Sequence, residues 1–253
     1  MAKAKWELVA SLPPEGHAIL PADDSHLAHL IPSAPCAVTR FGFTPVAEVR
    51  ARDVRETDKL AFLLEIGGQS APVEISACGA FHVYNALAAS ACAWHMGMKA
   101  EDICEGLKRF KAPPMRMAVS KHPSGAIIVN DAYNANPESM KASLLSFSRR
   151  FPQHKRIAVL GGMLELGKEA RLLHQEVGHY INELPPLETH VIGEEAKGIL
   201  EGILEKGLAP EAAAFHMDKN GAREALRLRL GPGVAILFKA SRRVRLEELI
   251  SEL

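Results

Sequence analysis

Residues 126–140 read AIIVNDAYNANPESM, an apolar run that gives way to a dense group of polar side chains. The run is typical of a buried strand, and Asp131 follows directly where that strand ends. Asn136 stands at a helix N-cap position with Pro137 behind it, so residues 137–150 are predicted to form a helix. The backbone N–H groups at such a helix start favour an anion. The same spacing also suits a capped helix and a turn that bind nothing.

Downstream of this stretch, predicted strands and helices alternate, with short glycine turns between them. The further predicted strands are 156–160, 189–192, 213–216 and 234–238, each followed by a helix, and the last helix is 246–253. Such alternation predicts an α/β fold with a Rossmann-like, doubly wound parallel sheet. Ligands of such sheets bind at the carboxyl ends of the strands, which is where the polar residues after position 130 lie.

The part of the chain upstream is also predicted to be mixed α and β. Its predicted elements are helices 2–12, 25–31, 83–95 and 99–110, strands 17–20 and 36–39, and a β-hairpin within 60–75. Residues 111–114, Lys-Ala-Pro-Pro, have the composition of a linker. We therefore predict one domain over residues 1–111 and a second over residues 112–253.

Charge and composition exclude several classes of function. Thirty basic and thirty acidic residues cancel, so no broad field favours nucleic acid or an anionic membrane. Four cysteines lie far apart and form no C-x-x-C pair, which is typical of reduced thiols rather than of a zinc site. No run of eighteen apolar residues is present, so we predict a cytoplasmic protein without membrane insertion.

Six motifs, in sequence order, resemble those of the Mur ligase family, the ATP-dependent ligases of cell-wall precursor synthesis. Residues 131–140 resemble the signature that opens the family's C-terminal domain, in the branch that adds D-alanyl-D-alanine. The other five are 2–7 (A-x-A-K-x-E), 79–85 (G-x-H-N-x-x-N), 113–117 (P-x-G-R-M), 157–167 (V-L-G-D-M-L-E-L-G) and 239–242 (K-G-S-R). The resemblance implies that residues 1–111 are the second half of the central domain and that residues 112–253 are the C-terminal domain.

The resemblance implies an amide ligase that joins D-alanyl-D-alanine to UDP-N-acetylmuramoyl-tripeptide. Such an enzyme phosphorylates a carboxylate with ATP, and the amine then displaces the phosphate from the acyl phosphate. Charge spreads over the phosphoryl oxygens in the transition state, so a nearby cation is needed. The resemblance gives that role to Arg116. It also implies ATP and Mg²⁺ for the complete enzyme, although neither is firmly expected to bind these residues alone.

Further site residues follow from the resemblance, position by position. Lys5 matches a lysine that the family carbamylates near the second magnesium; with so little chain before it, we expect a solvated amine here. His82 and Asn85 would border the adenine, and Asp131 the ribose. The residues implied on the amine-substrate and phosphate side are Tyr133, Asn134, Asn136, Lys239, Ser241 and Arg242.

The sequence also departs from the family pattern. No stretch matches the phosphate-binding loop G-x-x-G-K-[ST], and the UDP-binding N-terminal domain has no counterpart. We therefore expect a truncated form that is inactive as a ligase by itself. Single residues differ from the family pattern as well. Phe81-His82 stands where the family has His-Asn. Gly162 replaces an aspartate, Val234 an acidic residue and Ala240 a glycine. These changes permit altered nucleotide contacts.

Three functional hypotheses remain open at this level. The first is a fragment of a cell-wall ligase, and the second is a non-catalytic, Rossmann-like module that binds a small ligand or a partner. The third, a nicotinamide-dependent enzyme, is disfavoured because no G-x-G-x-x-G follows a predicted strand. Exposed strand edges in residues 1–110 could pair with a second copy, so a homo-oligomer is a further expectation.

Overall fold

The computed structural model describes residues 2–57, 59–205 and 212–253. The chain divides into two compact units, an N-terminal unit that ends at Lys111 and a C-terminal unit that begins at Ala112. In the described ranges, no helix combines the length and the apolar character that a membrane span requires.

The N-terminal unit is a five-stranded sheet covered by helices. Its strands are β1 (His17–Pro21), β2 (Ala37–Gly42), β3 (Val49–Glu56), β4 (Leu60–Ile66) and β5 (Gln69–Ile75), and its helices are α1 (Ala2–Ala10), α2 (Ser25–Ala28), α3 (Phe81–His95) and α4 (Ala100–Lys108). The strands lie in sequence order; β1, β2 and β3 run parallel, while β3, β4 and β5 form an antiparallel meander. Along β4 every second residue is buried, and Val83, Leu87 and Ala91 on α3 supply the matching apolar stripe.

The C-terminal unit is a six-stranded sheet with helices on both faces. Its strands are β6 (Ala118–Lys121), β7 (Ile127–Asn130), β8 (Lys155–Gly161), β9 (Glu188–Ile192), β10 (Ala213–His216) and β11 (Val234–Lys239), and its helices are α5 (Pro137–Arg150), α6 (Ala170–Ile181), α7 (Lys197–Glu205), α8 (Lys219–Arg227) and α9 (Leu246–Ser251). The strand order is β10-β9-β8-β11-β7-β6, and only β6 is antiparallel to its neighbour. The predicted α/β class with a Rossmann-like sheet is confirmed.

The central strands of this sheet are buried on both faces. All of Val234–Lys239 is buried, as is the run from Ile157 to Gly161. Ile157, Val159 and Phe238 share one core cluster with residues of α8 and α9. Continuous apolar strands of this kind are typical of a parallel sheet that is covered on both sides.

Several element bounds differ from those predicted. Two strands, β3 and β6, were not predicted, and the helix expected over 25–31 is a short α2 followed by a separate 3-10 turn, Ile31–Ser33. Helix α6 begins only at Ala170, because residues 162–169 form a loop that ends in a 3-10 turn.

Helices α6 and α7 pack with their backbones nearly in contact. A Cβ atom added at Gly178 would lie 2.2 Å from the carbonyl oxygen of Ile199, and one added at Gly202 would lie 2.2 Å from that of Gln175. Since real Cβ atoms do not approach so closely, only glycine fits at these two positions.

Candidate functional site

Three loops of the C-terminal unit lie side by side at the carboxyl edge of its sheet. They follow β7, β8 and β11, which are adjacent parallel strands with β11 in the middle. The chain crosses over β11 when it passes from β7 to β8, so the order of the strands reverses at this place. Ligands bind at such reversal points in doubly wound sheets. The polar residues after β7 and β11 therefore occupy the position where this fold holds its ligands.

Asp131, the first residue after β7, is buried and accepts three hydrogen bonds from protein groups. Its Oδ1 accepts from the backbone N–H of Met117 at 3.0 Å. Its Oδ2 accepts from Nζ of Lys239 at 2.6 Å and from the hydroxyl of Ser143 on α5. Lys239 is only 3% exposed, and it also donates to the carbonyl oxygen of Asn134 at 3.1 Å. Burial lowers the pKa of the Lys239 ammonium, with a further lowering from Arg116, while the charge of Asp131 raises it.

Arg116 lies in the turn before β6, between two residues in the left-handed region of backbone space. The φ angles of Met115 and Met117 are +61° and +52°, and each costs a non-glycine residue about 1–2 kcal/mol. Tyr133 donates its backbone N–H to the carbonyl oxygen of Met115 at 3.2 Å. The Arg116 guanidinium carbon lies 4.3 Å from the centre of the Tyr133 ring. The arginine that the sequence selects is thus exposed beside the loop after β7.

Ser241 links the three loops to one another. Its hydroxyl accepts from the backbone N–H of Leu164 at 2.9 Å and donates to the carbonyl oxygen of Ala135 at 3.4 Å. Its own N–H donates to the carbonyl oxygen of Gly162 at 3.0 Å. Because the Ser241 side chain is buried and already bonded, it acts on the shape of the loops.

The other residues expected on the substrate side have different surroundings. Asn136 caps α5, since its Oδ1 accepts from the N–H of Ser139 at 2.8 Å and its own N–H donates to the Ser139 hydroxyl. Tyr133 is 47% exposed, so its ring is accessible on the face that Arg116 leaves free. Arg242 is exposed and forms an ion pair with Glu247 on α9.

The loop after β8 borders a cavity of about 490 Å³ between α6 and α7. His174 fixes this loop to α6, because Met163 donates its N–H to Nε2 at 2.8 Å and Nδ1 donates to the carbonyl oxygen of Ala170 at 2.6 Å. Burial lowers the pKa of His174, so the ring is neutral in this double contact. The cavity is lined by residues of both charges, among them the ion pair Arg171–Glu201.

Three predicted site residues belong to the N-terminal unit. His82 is buried, with its ring centre 4.4 Å from that of Phe81 and 5.4 Å from that of Phe110. Asn85, one helical turn later on α3, is exposed, and so is Lys5 on α1. Their assignments to adenine and to a carbamate stay predictions.

A magnesium site does not follow from these residues. The described ranges 2–57, 59–205 and 212–253 bring no three His, Cys, Asp or Glu side chains together in a way that could hold a metal ion. Lys5 lies exposed on α1.

Two contacts of this site were not foreseen in the sequence. Ser143 was overlooked, although it interrupts the inward, apolar side of α5 between Met140 and Leu144, and a serine in such a place signals a buried acceptor. The left-handed turn could have been inferred from the resemblance, because the family pattern P-x-G-R-M has glycine where this chain has Met115.

The family model described as "Mur ligase, glutamate ligase domain" matches residues 115–242, just over half of the chain and nearly all of the C-terminal unit. The chain belongs to the Mur ligase family. A second family model, the Mur ligase middle domain, matches residues 1–93. Both matches agree with the motifs that indicate a Mur ligase in the sequence.

Two similar Mur ligases carry the same name. The UDP-N-acetylmuramoyl-tripeptide–D-alanyl-D-alanine ligase of Bacillus subtilis is 31% identical over 253 residues, which are the whole of this chain and 54% of that protein. The ligase of the same name from Mycobacterium tuberculosis is 34% identical over 265 residues, 95% of this chain and 51% of that protein. The chain thus spans about half the length of the curated relatives that it matches.

Solved Mur ligase structures have the same fold. MurF from Acinetobacter baumannii superposes with a TM-score of 0.88 at 27% identity, covering 99% of this chain and 54% of that one. MurF ligase from Thermotoga maritima, solved in complex with ADP, superposes with a TM-score of 0.83 at 25% identity, covering 98% of this chain and 55% of that one.

Proposed function

We propose that this chain supplies part of the active site of an ATP-dependent ligase that adds D-alanyl-D-alanine to UDP-N-acetylmuramoyl-tripeptide. The names of the similar ligases support the substrates. The observation that carries the proposal is the position of Arg116, which is exposed at the ligand-binding edge of the sheet and in contact with Tyr133. In this proposal residues 1–111 belong to the central domain, residues 112–253 form the C-terminal domain, and the reaction takes place in the cytoplasm.

The reaction assigns distinct tasks to the residues of this edge. Arg116 would neutralise charge on the phosphoryl group as it moves from ATP to the substrate carboxylate, because a cation fixed before the reaction need not reorganise during it. Tyr133, whose ring holds the guanidinium at 4.3 Å, would restrict the arginine to that direction. Asn134, Asn136 and Arg242 stay candidates for contact with the amine substrate. Magnesium, which the family uses, is not placed by any residue described.

The proposal can be tested with a chimera in which residues 1–253 replace the matching segment of the Bacillus subtilis relative. With ATP, Mg²⁺, UDP-N-acetylmuramoyl-tripeptide and D-alanyl-D-alanine, we expect the pentapeptide product together with ADP and phosphate in equal amounts. L-Alanyl-L-alanine serves as the matched control substrate and should yield little product. A folded chimera that binds the substrates without forming product would favour the non-catalytic binding module instead.

A further inference from the structure

The strained turn around Arg116 must be held by contacts from outside it. Left-handed backbone at two non-glycine residues persists only where the surroundings enforce it. Two contacts do so here: the Met115 carbonyl accepts from Tyr133, and the Met117 N–H donates to Asp131 Oδ1. The second contact depends on a charged, buried carboxylate, so whatever fixes that carboxylate also fixes the turn.

Lys239 is built into the interior of the C-terminal unit. Its side chain is 3% exposed, and its ammonium group already donates to Asp131 and to the carbonyl oxygen of Asn134. A buried ammonium without a counter-ion is costly, and so is a buried carboxylate without one, so each of the two charges requires the other. Ser143 adds a neutral hydroxyl donor to the same oxygen, Oδ2. Because Lys239 and Ser143 both donate to Oδ2, Oδ1 of Asp131 is left to accept from the Met117 N–H.

We propose that Lys239 and Ser143 are positioning residues for Arg116, which act through Asp131 to hold the Met115–Met117 turn and so keep the guanidinium over Tyr133. The chain of contacts runs from the end of β11 and from α5 to the residue after β7, and then to the turn before β6. Without the ammonium group, Asp131 has no counter-ion, so the carboxylate either takes up a proton or moves toward solvent, and both changes weaken its hydrogen bond to the Met117 N–H. The turn then relaxes, and Arg116 loses its fixed direction.

The consequence for catalysis rests on the proposed function, but the positioning itself can be measured without any turnover. In the full 253-residue chain, NMR reports the exchange of the Met117 amide with solvent and the ring-current shift that Tyr133 imposes on the Arg116 δ-protons. In Lys239→Met we expect Met117 exchange to accelerate about tenfold or more, since local opening exposes the amide. The Arg116 shift should move to the value of a free side chain, while the amides of Ile157–Leu160 in β8 stay protected.

The control variant is Lys219→Met, which removes another lysine–carboxylate pair of the same unit, Lys219–Glu248. It should leave Met117 exchange and the Arg116 shift unchanged. Ser143→Ala keeps both charges, so its effect on Met117 should have the same direction as that of Lys239→Met but be smaller. If Lys239→Met does not fold, Ser143→Ala tests the proposal in its place. Unchanged exchange of the Met117 amide in Ser143→Ala then overturns the proposal.

Unchanged Met117 exchange and an unchanged Arg116 shift in folded Lys239→Met also overturn the positioning role. In the ligating chimera, the same variant should lower kcat at least about tenfold with little change in KM for D-alanyl-D-alanine, because only the transition state would lose its aligned cation. A chimera that does not ligate removes the proposed function but leaves the NMR result standing. Altered NMR signals together with unchanged kcat would show that the positioning has no part in the reaction.

Discussion

The role of Arg116 can be tested by truncation of its side chain. In the ligating chimera, Arg116→Ala should reduce kcat about 100-fold, because removal of one preorganised charge-stabilising group costs factors of this size. The fold should be retained, since Arg116 is exposed. Product formation in single-turnover reactions measures the effect, and Arg227→Ala, an exposed arginine of α8, is the control. Near-normal turnover in Arg116→Ala would remove this residue from the mechanism.

Buried histidines make the stability of the protein depend on pH. Burial lowers the pKa of His190 and His216, whose rings share a hydrogen bond of 2.8 Å, and His174 has a lowered pKa for the same reason. The unfolded chain takes up protons on these rings near pH 6.5, whereas the folded chain does not, so acidification favours unfolding. Partial burial works to raise the pKa of Glu188 beside His190, but hydrogen bonds from His190, Lys155 and Arg229 outweigh it and lower the pKa to about 2. The contribution of Glu188 to the free energy of unfolding is therefore lost only at pH values below about 4.5.

We thus predict that the free energy of unfolding in urea falls as the pH is lowered from about 6.5 to 5, relative to its value at pH 7.5. In His190→Gln the free energy of unfolding should fall less steeply with decreasing pH in that interval, because one histidine with a lowered pKa is then absent. His26→Gln, an exposed histidine of α2, is the control and should leave the slope as it is. An equal slope in all three proteins would contradict this account.

The sequence identified three residues that the structure brings together better than it identified the contacts that hold them. Arg116, Asp131 and Tyr133 were selected by motif, and they do lie together. The bond between Asp131 and Lys239 joins residues 108 positions apart, so no local pattern could predict it. The resemblance of residues 239–242 to the K-G-S-R motif implies that Lys239 lies on the substrate side, but a motif carries no information on burial, and lysine is mostly exposed in proteins.

At the scale of helices, the contact between α6 and α7 limits what can replace its glycines. Gly202→Ala should destabilise the protein by about 1–3 kcal/mol, because the new methyl group would meet the backbone of Gln175. Gly106→Ala is the matched control, since this exposed glycine of α4 has open space around its missing Cβ. In that control the free energy of unfolding should rise by up to about 1 kcal/mol, because alanine has a higher helix propensity than glycine. Urea unfolding measures both, and equal midpoints would refute the close-packing argument.

In the N-terminal unit, one carboxylate ties three elements together. Asp23, after β1, accepts from the N–H groups of Phe43 at 2.7 Å and Thr44 at 3.1 Å and from the Tyr84 hydroxyl of α3 at 2.5 Å. Burial raises the pKa of the Tyr84 hydroxyl, and its bond to Asp23 raises it further. Tyr84→Phe should therefore lower the free energy of unfolding, measured in urea, by about 1.5–3 kcal/mol, the value of a hydrogen bond to a charged group. A loss no greater than that of Tyr180→Phe would show that the bond contributes nothing.

The elements that sequence reasoning identified have a clear hydrophobic period or a cap. Helix α5 begins and ends where it was predicted, because Asn136 and Pro137 mark its start. The sequence does not predict strand β3, because charged residues interrupt the alternation of apolar and polar residues. Two of them, Arg50 and Arg52, form ion pairs with Glu65 on the neighbouring strand β4. Strand β6 is an exposed edge held by backbone pairing with β7, which leaves no pattern of side chains.

For the molecule as a whole, each unit has a hydrophobic core made from its own elements. Residues 112–253 expressed alone should therefore fold, with backbone NMR signals for β7, β8 and β11 at their positions in the full chain. A unit of this length with its own hydrophobic core has what an independent domain requires. An unfolded spectrum from this piece would mean that its stability depends on residues 1–111.

The burial of the Lys239–Asp131 pair has a consequence for the media in which the protein works. Dissolved salt screens charges at a protein surface within about 8–10 Å, and it weakens exposed pairs such as Arg171–Glu201. Mobile ions do not reach a pair enclosed by side chains, so its attraction persists in brine as in dilute buffer. The proposed hold of Asp131 on the Met117 N–H should therefore vary little with ionic strength.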